Sequence, residues 1–436
     1  MNRPNTPAFS RRALLGATAA AGVGAVVPSP AEAEAEAAHH RPLDQHTIDA
    51  AVRPLADELV ALRRALHEHP ETSGQEQWTS ATVAERLRAA GLKVTTGVGG
   101  TGVVGVLTGA RPGRTVAYRA DMDAVPPDGI VTGGTVPAHV CGHDLHTTIG
   151  VGVAQVLARL RHRLSGTVVF LFQPGEEALA GARAMIGAGV LDGTWASAEP
   201  PAEIHALHCG PFPVGRFAVT PGVGLPGQDQ AQITLTGPDA ADQAKRLVAD
   251  VSALSTVAFP QTPADLEKMV ADVQTPDGPL ARFTVTRARA KDADAEGRVA
   301  VQVSFRCWPE ERYTEVREQI RRLAQPYPGA QTVFPGEPFP ALVCPAEDAD
   351  ALARHLRRAI DPAAVTVLHA AFPFNGEDFA LFLDRLPGTY TFLGVRSPGA
   401  GITSAYPHFG DFHPDERAIG LGVRAMAGWL SARTAA

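Results

Sequence analysis

Cysteine spacing of the kind that builds disulfide frameworks is missing from this sequence. Four cysteines, Cys141, Cys209, Cys307 and Cys344, are scattered over 436 residues, which argues against a stapled scaffold. Three of them read as small buried hydrophobes; Cys141 stands among histidines and reads as a thiolate. An excess of positive charge is also missing. The formal net charge is -7 at pH 7, which argues against a nucleic-acid backbone as partner and favours a small-molecule substrate. After Val27 no apolar run is long enough to span a membrane. No internal repeat is present.

The first 37 residues read as a targeting segment and not as part of the fold. Ser10, Arg11 and Arg12 precede Ala13, Leu14 and Leu15, a twin-arginine pattern. An apolar run of Ala, Gly and Val follows, and small residues over 31–37 offer a processing site. The expectation is export by the twin-arginine route, to an extracellular or periplasmic location. That route carries folded proteins, so metal can be loaded before export.

The remaining length suits two domains. Helical periodicity is visible over 55–66, 146–160 and 178–186, and short strands over 103–107, 115–119, 167–172 and 204–207. The strand TVVFLF (167–172) is almost wholly apolar, as expected of a strand covered on both faces. This alternation predicts an α/β layer with a largely parallel sheet and helices on both faces. Near Gly227 the pattern changes. A strand (232–235), a long helix (240–257), two strands (281–286, 298–305) and a helix (315–323) predict a smaller α+β unit. From about Pro340 helix 349–360, strand 390–395 and helix 416–430 resume the first pattern. The expected organisation is a catalytic domain in two segments, 44–226 and 336–436, interrupted by a lid or dimerisation domain over 227–335.

The string CGHDLH (141–146) sets Cys141, His143 and His146 within six residues. A thiolate and neutral imidazoles suit zinc and neighbouring transition metals. QPGEE (173–177) follows the apolar strand and ends on Glu176 and Glu177. Ligands in open α/β sheets bind beyond the carboxyl ends of parallel strands. Asp121, Asp123, Glu176, Glu177 and His208 all lie at such ends, and CGHDLH opens a helix at the same rim. His205 and His208 are three apart on one strand, so they point to opposite faces and at most one reaches the rim. His67 and His69 read as surface residues, as do His39, His40 and His46. His162 and His355 sit on Arg-rich helical faces.

RADMDAVP (119–126), HVCGHDLHT (139–147), FQPGEE (172–177), ALHCGP (206–211) and GEDFALF (376–382) occur in that order. Together they resemble the motifs of the dinuclear metallo-amidohydrolases related to aminoacylase and carboxypeptidase. The branch is that of hippurate hydrolases, N-acetyl-diaminopimelate deacetylase and plant auxin-conjugate hydrolases. The resemblance implies two divalent metal ions (zinc, manganese or cobalt) bridged by Cys141, with His143, Glu177, His208 and a C-terminal histidine completing the shells. The last is His408 or His413; the family's spacing of eight residues before the Glu of its terminal DE pair, here Glu416, selects His408. Asp121, Asp123 and His146 are implied to orient those ligands. Glu176 is implied as the general acid/base that acts on a metal-bridged water.

The implied activity is hydrolysis of amide bonds in N-acyl amino acids or similar small conjugates. Alternatives are a dipeptidase or carboxypeptidase, and a weakly catalytic metal- and ligand-binding protein on the same scaffold. A homodimer through the inserted domain is a further implication. One departure bears on rate. The family's inserted domain carries a Gly-Gly-His loop whose histidine stabilises the oxyanion; here QITLTG runs straight into PDAADQAKRLV, with no histidine between His208 and His355. Loss of one such donor costs about 10²–10³ in rate, which leaves three readings: another donor, an Arg or an Asn such as Asn375, substitutes; the substrate is a different, more reactive one; or the protein binds metal and ligand with little catalysis.

Overall fold

The computed structural model describes residues 42–127, 134–193, 195, 199–409 and 411–436. The twin-arginine segment and the centre of the 126–139 loop lie outside these residues.

In chain order the first elements are helices α1 (Gln45–Val52), α2 (Ala56–Glu68) and α3 (Gln77–Ala89), then strands β1 (Lys93–Val98), β2 (Gly102–Thr108) and β3 (Arg111–Asp121). Helix α4 (His143–Arg159), β4 (Ser165–Gln173), α5 (Gly181–Gly187), β5 (Ile204–Pro213) and β6 (Phe217–Val219) follow. The middle of the chain holds β7 (Gly224–Leu225), β8 (Asp229–Leu235), α6 (Ala240–Ser252), α7 (Pro263–Val273), β9 (Phe283–Ala290), β10 (Val299–Trp308), α8 (Tyr313–Ala324) and β11 (Gln331–Val333). It closes with β12 (Leu342–Val343), α9 (Ala346–Ala359), β13 (Val365–Val367), α10 (Ala380–Leu383), β14 (Gly388–Arg396) and α11 (Arg417–Thr434).

The main sheet runs β1-β2-β4-β3-β5-β14-β6-β13. Its four central strands are parallel to one another, β4 with β3, β3 with β5 and β5 with β14. The pairs β1–β2, β2–β4 and β14–β6 are antiparallel. Strand β4 explains the layering. Val168, Phe170 and Phe172 point into one core with α2, α4 and α11, while Val169 and Leu171 point into another with Met185 of α5 and Phe382 of α10. Each fully buried side chain of this kind contributes about 1.5–3 kcal/mol. The fold is therefore α/β with a largely parallel central sheet covered on both faces.

A second sheet, β11-β8-β10-β9, is antiparallel throughout. Ile233, Val301 and Phe305 on one face pack on Leu247 of α6 and on Val316 and Ile320 of α8. The alternate residues Gln232, Gln302, Ser304 and Arg306 form the other face.

Local chemistry moved several boundaries. The helix expected over 240–257 ends at Ser252, and a separate helix, α7, starts at Pro263. Its start is fixed by Thr262 and Asp265, which cap each other's backbone N–H, with Pro263 in the first turn. The helix expected over 178–186 begins only at Gly181, because the N–H groups of Ala180 and Gly181 turn back to the carbonyl of Gly175. The strand expected over 281–286 occupies Phe283–Ala290. Helices α1 and α3 and strand β1 lacked a pattern strong enough to be anticipated. None of the described helices is long and apolar enough to cross a membrane.

Candidate metal centre

Side chains converge where β3 and β4 end, beside the middle of β5, since the strand expected over 204–207 runs on to Pro213 and His208 does not end it. Strand β3 ends on Asp121, β4 is followed at once by Glu176 and Glu177, and β5 carries His208. Helix α4 starts at His143, directly after Gly142. Gly142 has φ +90°, and a Cβ there would meet Cys209 Sγ at 2.3 Å. Glycine at this position therefore lets the helix start lie against β5.

The imidazoles are aimed by backbone carbonyls. His143 donates from Nδ1 to the carbonyl of Asp123 at 2.8 Å. Its Nε2 is buried with no hydrogen-bond partner among the described residues. That nitrogen lies 3.6 Å from Asp121 Oδ2, 3.8 Å from Glu176 Oε2 and 3.8 Å from Glu177 Oε1. Glu177 Oε1 is likewise unpartnered, and His408 Nε2 stands 3.7 Å from it. Cys141 Sγ falls within 4.8 Å of the His143 and Glu177 ligand atoms. Ligands about 2.1 Å from one tetrahedral ion stand about 3.4 Å apart. A soft thiolate, imidazole lone pairs and carboxylate oxygens at these separations fit a divalent transition metal.

His208 donates from Nδ1 to the carbonyl of Cys209 at 2.7 Å, which frees Nε2. Its ring centroid is 5.9 Å from that of His143 and 4.3 Å from that of His146. Burial holds the His208 pKa well below the usual imidazole range. A neutral ring is the form that ligates metal. Burial pushes the Cys141 thiol up; a bound cation reverses that balance, because a coordinating thiol deprotonates.

The orienting groups are spent within the protein. His146 accepts the N–H of Cys209 on Nε2 at 2.8 Å and donates from Nδ1 to Asp121 Oδ1 at 2.6 Å. Asp123 accepts the backbone N–H groups of Glu176 at 3.1 Å and Glu177 at 2.9 Å, plus the Ser73 hydroxyl at 2.6 Å. One carboxylate thus fixes the turn that presents both glutamates. Leu179 just beyond it and His408 across the site are non-glycine residues at φ +52° and +66°, a backbone cost of about 1–3 kcal/mol each. The His408 N–H bonds the carbonyl of Val140 at 2.7 Å.

Sequence reasoning left Arg119, Glu377 and Asp378 without roles, although all three lie in the quoted motifs. Arg119 is buried and donates to Gln173 Oε1 at 2.9 Å, Glu377 Oε1 at 2.9 Å, Asp378 Oδ1 at 3.3 Å, and Asp121. Burial acts to raise Asp121, but Arg119, His143 and His146 outweigh it and hold the carboxyl well below its usual range. Glu176 behaves in the opposite way. Burial, then Glu377, Glu177 and Asp378, raise its pKa well above the usual carboxylate range. Burial likewise raises Asp378 to about 7.

The remaining histidines separate cleanly. His205 is buried away from the centre, bonded to the Thr389 hydroxyl at 2.9 Å and edge-on to Trp429. His413 is exposed, and its N–H bonds the carbonyl of Ser404. His69 stacks on Trp78. His67 corrects the surface assignment in part, since it pairs at 2.8 Å with the buried carboxylate of Asp144. His355 also turns inward, against Trp429.

Two cavities open from Glu176 and His408. The tighter, about 40 Å³, is walled by Phe372, Tyr390, Phe392 and Tyr406. The wider, about 490 Å³, reaches the second sheet at Arg287 and Arg306. Asn375 lines both.

Known proteins with this sequence pattern and fold bear on the chemistry. The model of peptidase family M20/M25/M40 matches residues 117–432. Thermostable carboxypeptidase 1 of Saccharolobus solfataricus is 31% identical over 86% of this chain and 95% of its own. N-acetylcysteine deacetylase of Bacillus subtilis is 32% identical over 78% of this chain and 88% of its own. The crystal structure of a Bacillus subtilis dinuclear metal-binding peptidase of the M20 family superposes with a TM-score of 0.67 at 25% identity, covering 88% of this chain and 99% of that one. The chain belongs to peptidase family M20/M25/M40 and is a metal-dependent amidohydrolase.

Proposed function

We propose that this protein is an exported hydrolase of the amide bond in N-acyl amino acids or similar small conjugates. In this reading Cys141, His143, Glu177, His208 and His408 hold two divalent ions. The observation that carries it is His143, whose buried Nε2 is turned by the Asp123 carbonyl toward Asp121, Glu176 and Glu177. When bound, the ions supply the positive charge that acidifies water and polarises an amide carbonyl.

The chain's own groups supply the rest. Glu176 takes the proton of the attacking water and returns it to the leaving nitrogen. Its burial beside Glu377 and Asp378 favours the protonated form between the two transfers. Asp123 holds Glu176 in place through its backbone N–H. Asn375, which lines both cavities beside Glu176, is the proposed oxyanion donor in place of the absent lid histidine. The aromatic walls of the tighter cavity exclude water from one side of the amide.

A carboxypeptidase or dipeptidase is the second reading, favoured by the 31% identity to thermostable carboxypeptidase 1. Hydrolysis of a panel of N-acyl amino acids and dipeptides by metal-loaded protein decides between them. Turnover of the acylated substrates supports the first reading; turnover confined to substrates with a free amine supports the second. Binding without turnover across the panel contradicts both. Export through the twin-arginine segment is part of the proposal and is tested by replacing Arg11 and Arg12 with lysine and following the location of the mature protein.

A further inference from the structure

The wider cavity is walled by the open face of the second sheet. Register sets Arg287 opposite Ser304 and Val285 opposite Arg306, so both guanidinium groups leave the sheet on the same face. Arg306 donates to the carbonyls of Pro226 and Gly227, each at 3.2 Å, and to Gln228 Oε1 at 2.8 Å. All three acceptors are neutral. Arg287 lies over the ring of Phe259 at 5.3 Å, and Phe259 meets Phe374 edge-on at 5.1 Å. Phe259 keeps 45% of its surface exposed. Among the described residues neither arginine has a carboxylate within ion-pair distance.

Arg287 is exposed, whereas Arg306 is partly buried and its hydrogen bonds go only to neutral acceptors, so a guanidinium pair lining one cavity offers an anion charge-assisted contacts. Burial, and to a smaller extent Arg287, act against the charged state of Arg306, while Tyr313 and Glu176 act for it. An anionic ligand offsets the repulsion between the two guanidinium groups. The wider cavity is of the size that encloses a small ligand. The tighter one, at about 40 Å³ where a water needs about 10–15 Å³, holds only a short acyl group.

We propose that Arg287 is a specificity-determining residue, and that with Arg306 it receives the two carboxylates of an N-acyl dicarboxylic amino acid. The inference rests on the amidohydrolase reading above. The short acyl group enters the aromatic-walled cavity. The methylene stem lies along Phe259 and Phe374. The planar guanidinium groups take the carboxylates in paired hydrogen bonds.

The test is titration calorimetry on the full-length Glu176→Gln protein, with N-acetylglutamate and N-acetylglutamine as probes. The two have the same shape and differ by one charge. The glutamate derivative is expected to bind about tenfold or more tightly, the worth of one charge-assisted contact. Arg287→Ala brings the ratio of the two affinities close to one, and Arg287→Lys retains part of it. Equal affinities before the substitution, or a ratio unchanged by Arg287→Ala, overturn the inference. Wild-type turnover of N-acetylleucine separates the two claims. Turnover without a glutamate preference refutes the subsite and keeps the hydrolase. Arg287-dependent selectivity without any turnover refutes the hydrolase and keeps the subsite.

Discussion

The backbone N–H of Cys209 donates to Nε2 of His146 at 2.8 Å, and this bond decides what His146 can do. With Nε2 an acceptor, the ring proton sits on Nδ1 and goes to Asp121 Oδ1 at 2.6 Å. His146 has no lone pair left for an ion, whereas His143 does. His146→Ala is therefore expected to weaken metal binding by about 10–100-fold, as loss of an orienting partner does, while His143→Ala abolishes one site. Competition against a chelator measures both. Equal losses in the two variants would contradict the assignment.

The two C-terminal histidines give a sharper contrast. His408 stands 3.7 Å from Glu177 Oε1, and His413 is exposed beyond it. His408→Ala is expected to lose bound metal and turnover together. His413→Ala is expected to change stability by no more than about 0.5 kcal/mol, as for a surface substitution. Elemental analysis of the two purified variants checks this directly.

Asp123 holds the N–H groups of Glu176 and Glu177. Asp123→Ala leaves two N–H donors without their acceptor, at roughly 1–3 kcal/mol each where they are buried. A lower thermal midpoint in the presence of chelator, together with slower turnover when metal is restored, is the expected outcome. An unchanged midpoint would mean that the turn is held by other bonds.

Glu203 predicts an acid limb of stability that has nothing to do with metal. Burial alone raises this carboxyl, but His205, 3.6 Å away, and the bonded Arg433 outweigh it and hold it at about 2. The folded pKa lies below the unfolded one, near 4.3. The contribution is therefore present above that value and is lost as pH falls toward about 2. Glu203→Gln should be less stable than wild type at pH 7, with the gap closing over that window. Denaturant midpoints at a series of pH values measure it; a gap independent of pH would contradict the account.

The layered α/β fold was legible in the sequence because its central strands are apolar over their whole length, as TVVFLF is. That several of the candidate residues would lie together was also legible. CGHDLH is contiguous, and Glu176 follows from the rule that sites gather at the carboxyl ends of parallel strands; His208 lies in the middle of β5, level with the end of β3. The Arg119 network was not legible. Its partners Glu377 and Asp378 lie 258 and 259 positions away, and no local periodicity marks such a pairing. Helix α7 is short and carries only a local Thr-Pro start, ten residues after the stronger helical run of α6 ends. His67 was misplaced because its partner Asp144 is 77 positions away. The open cationic face at Arg287 and Arg306 depends on strand register, which single-strand alternation leaves undetermined.

The most direct test compares the wild type with Glu176→Gln for metal content and for turnover of an N-acyl amino acid in the same preparations. The account predicts equal metal content and a rate lower by at least about 10²–10⁴-fold in the variant, the usual worth of a general acid/base. A metal-replete Glu176→Gln protein that hydrolyses the substrate at the wild-type rate would contradict it.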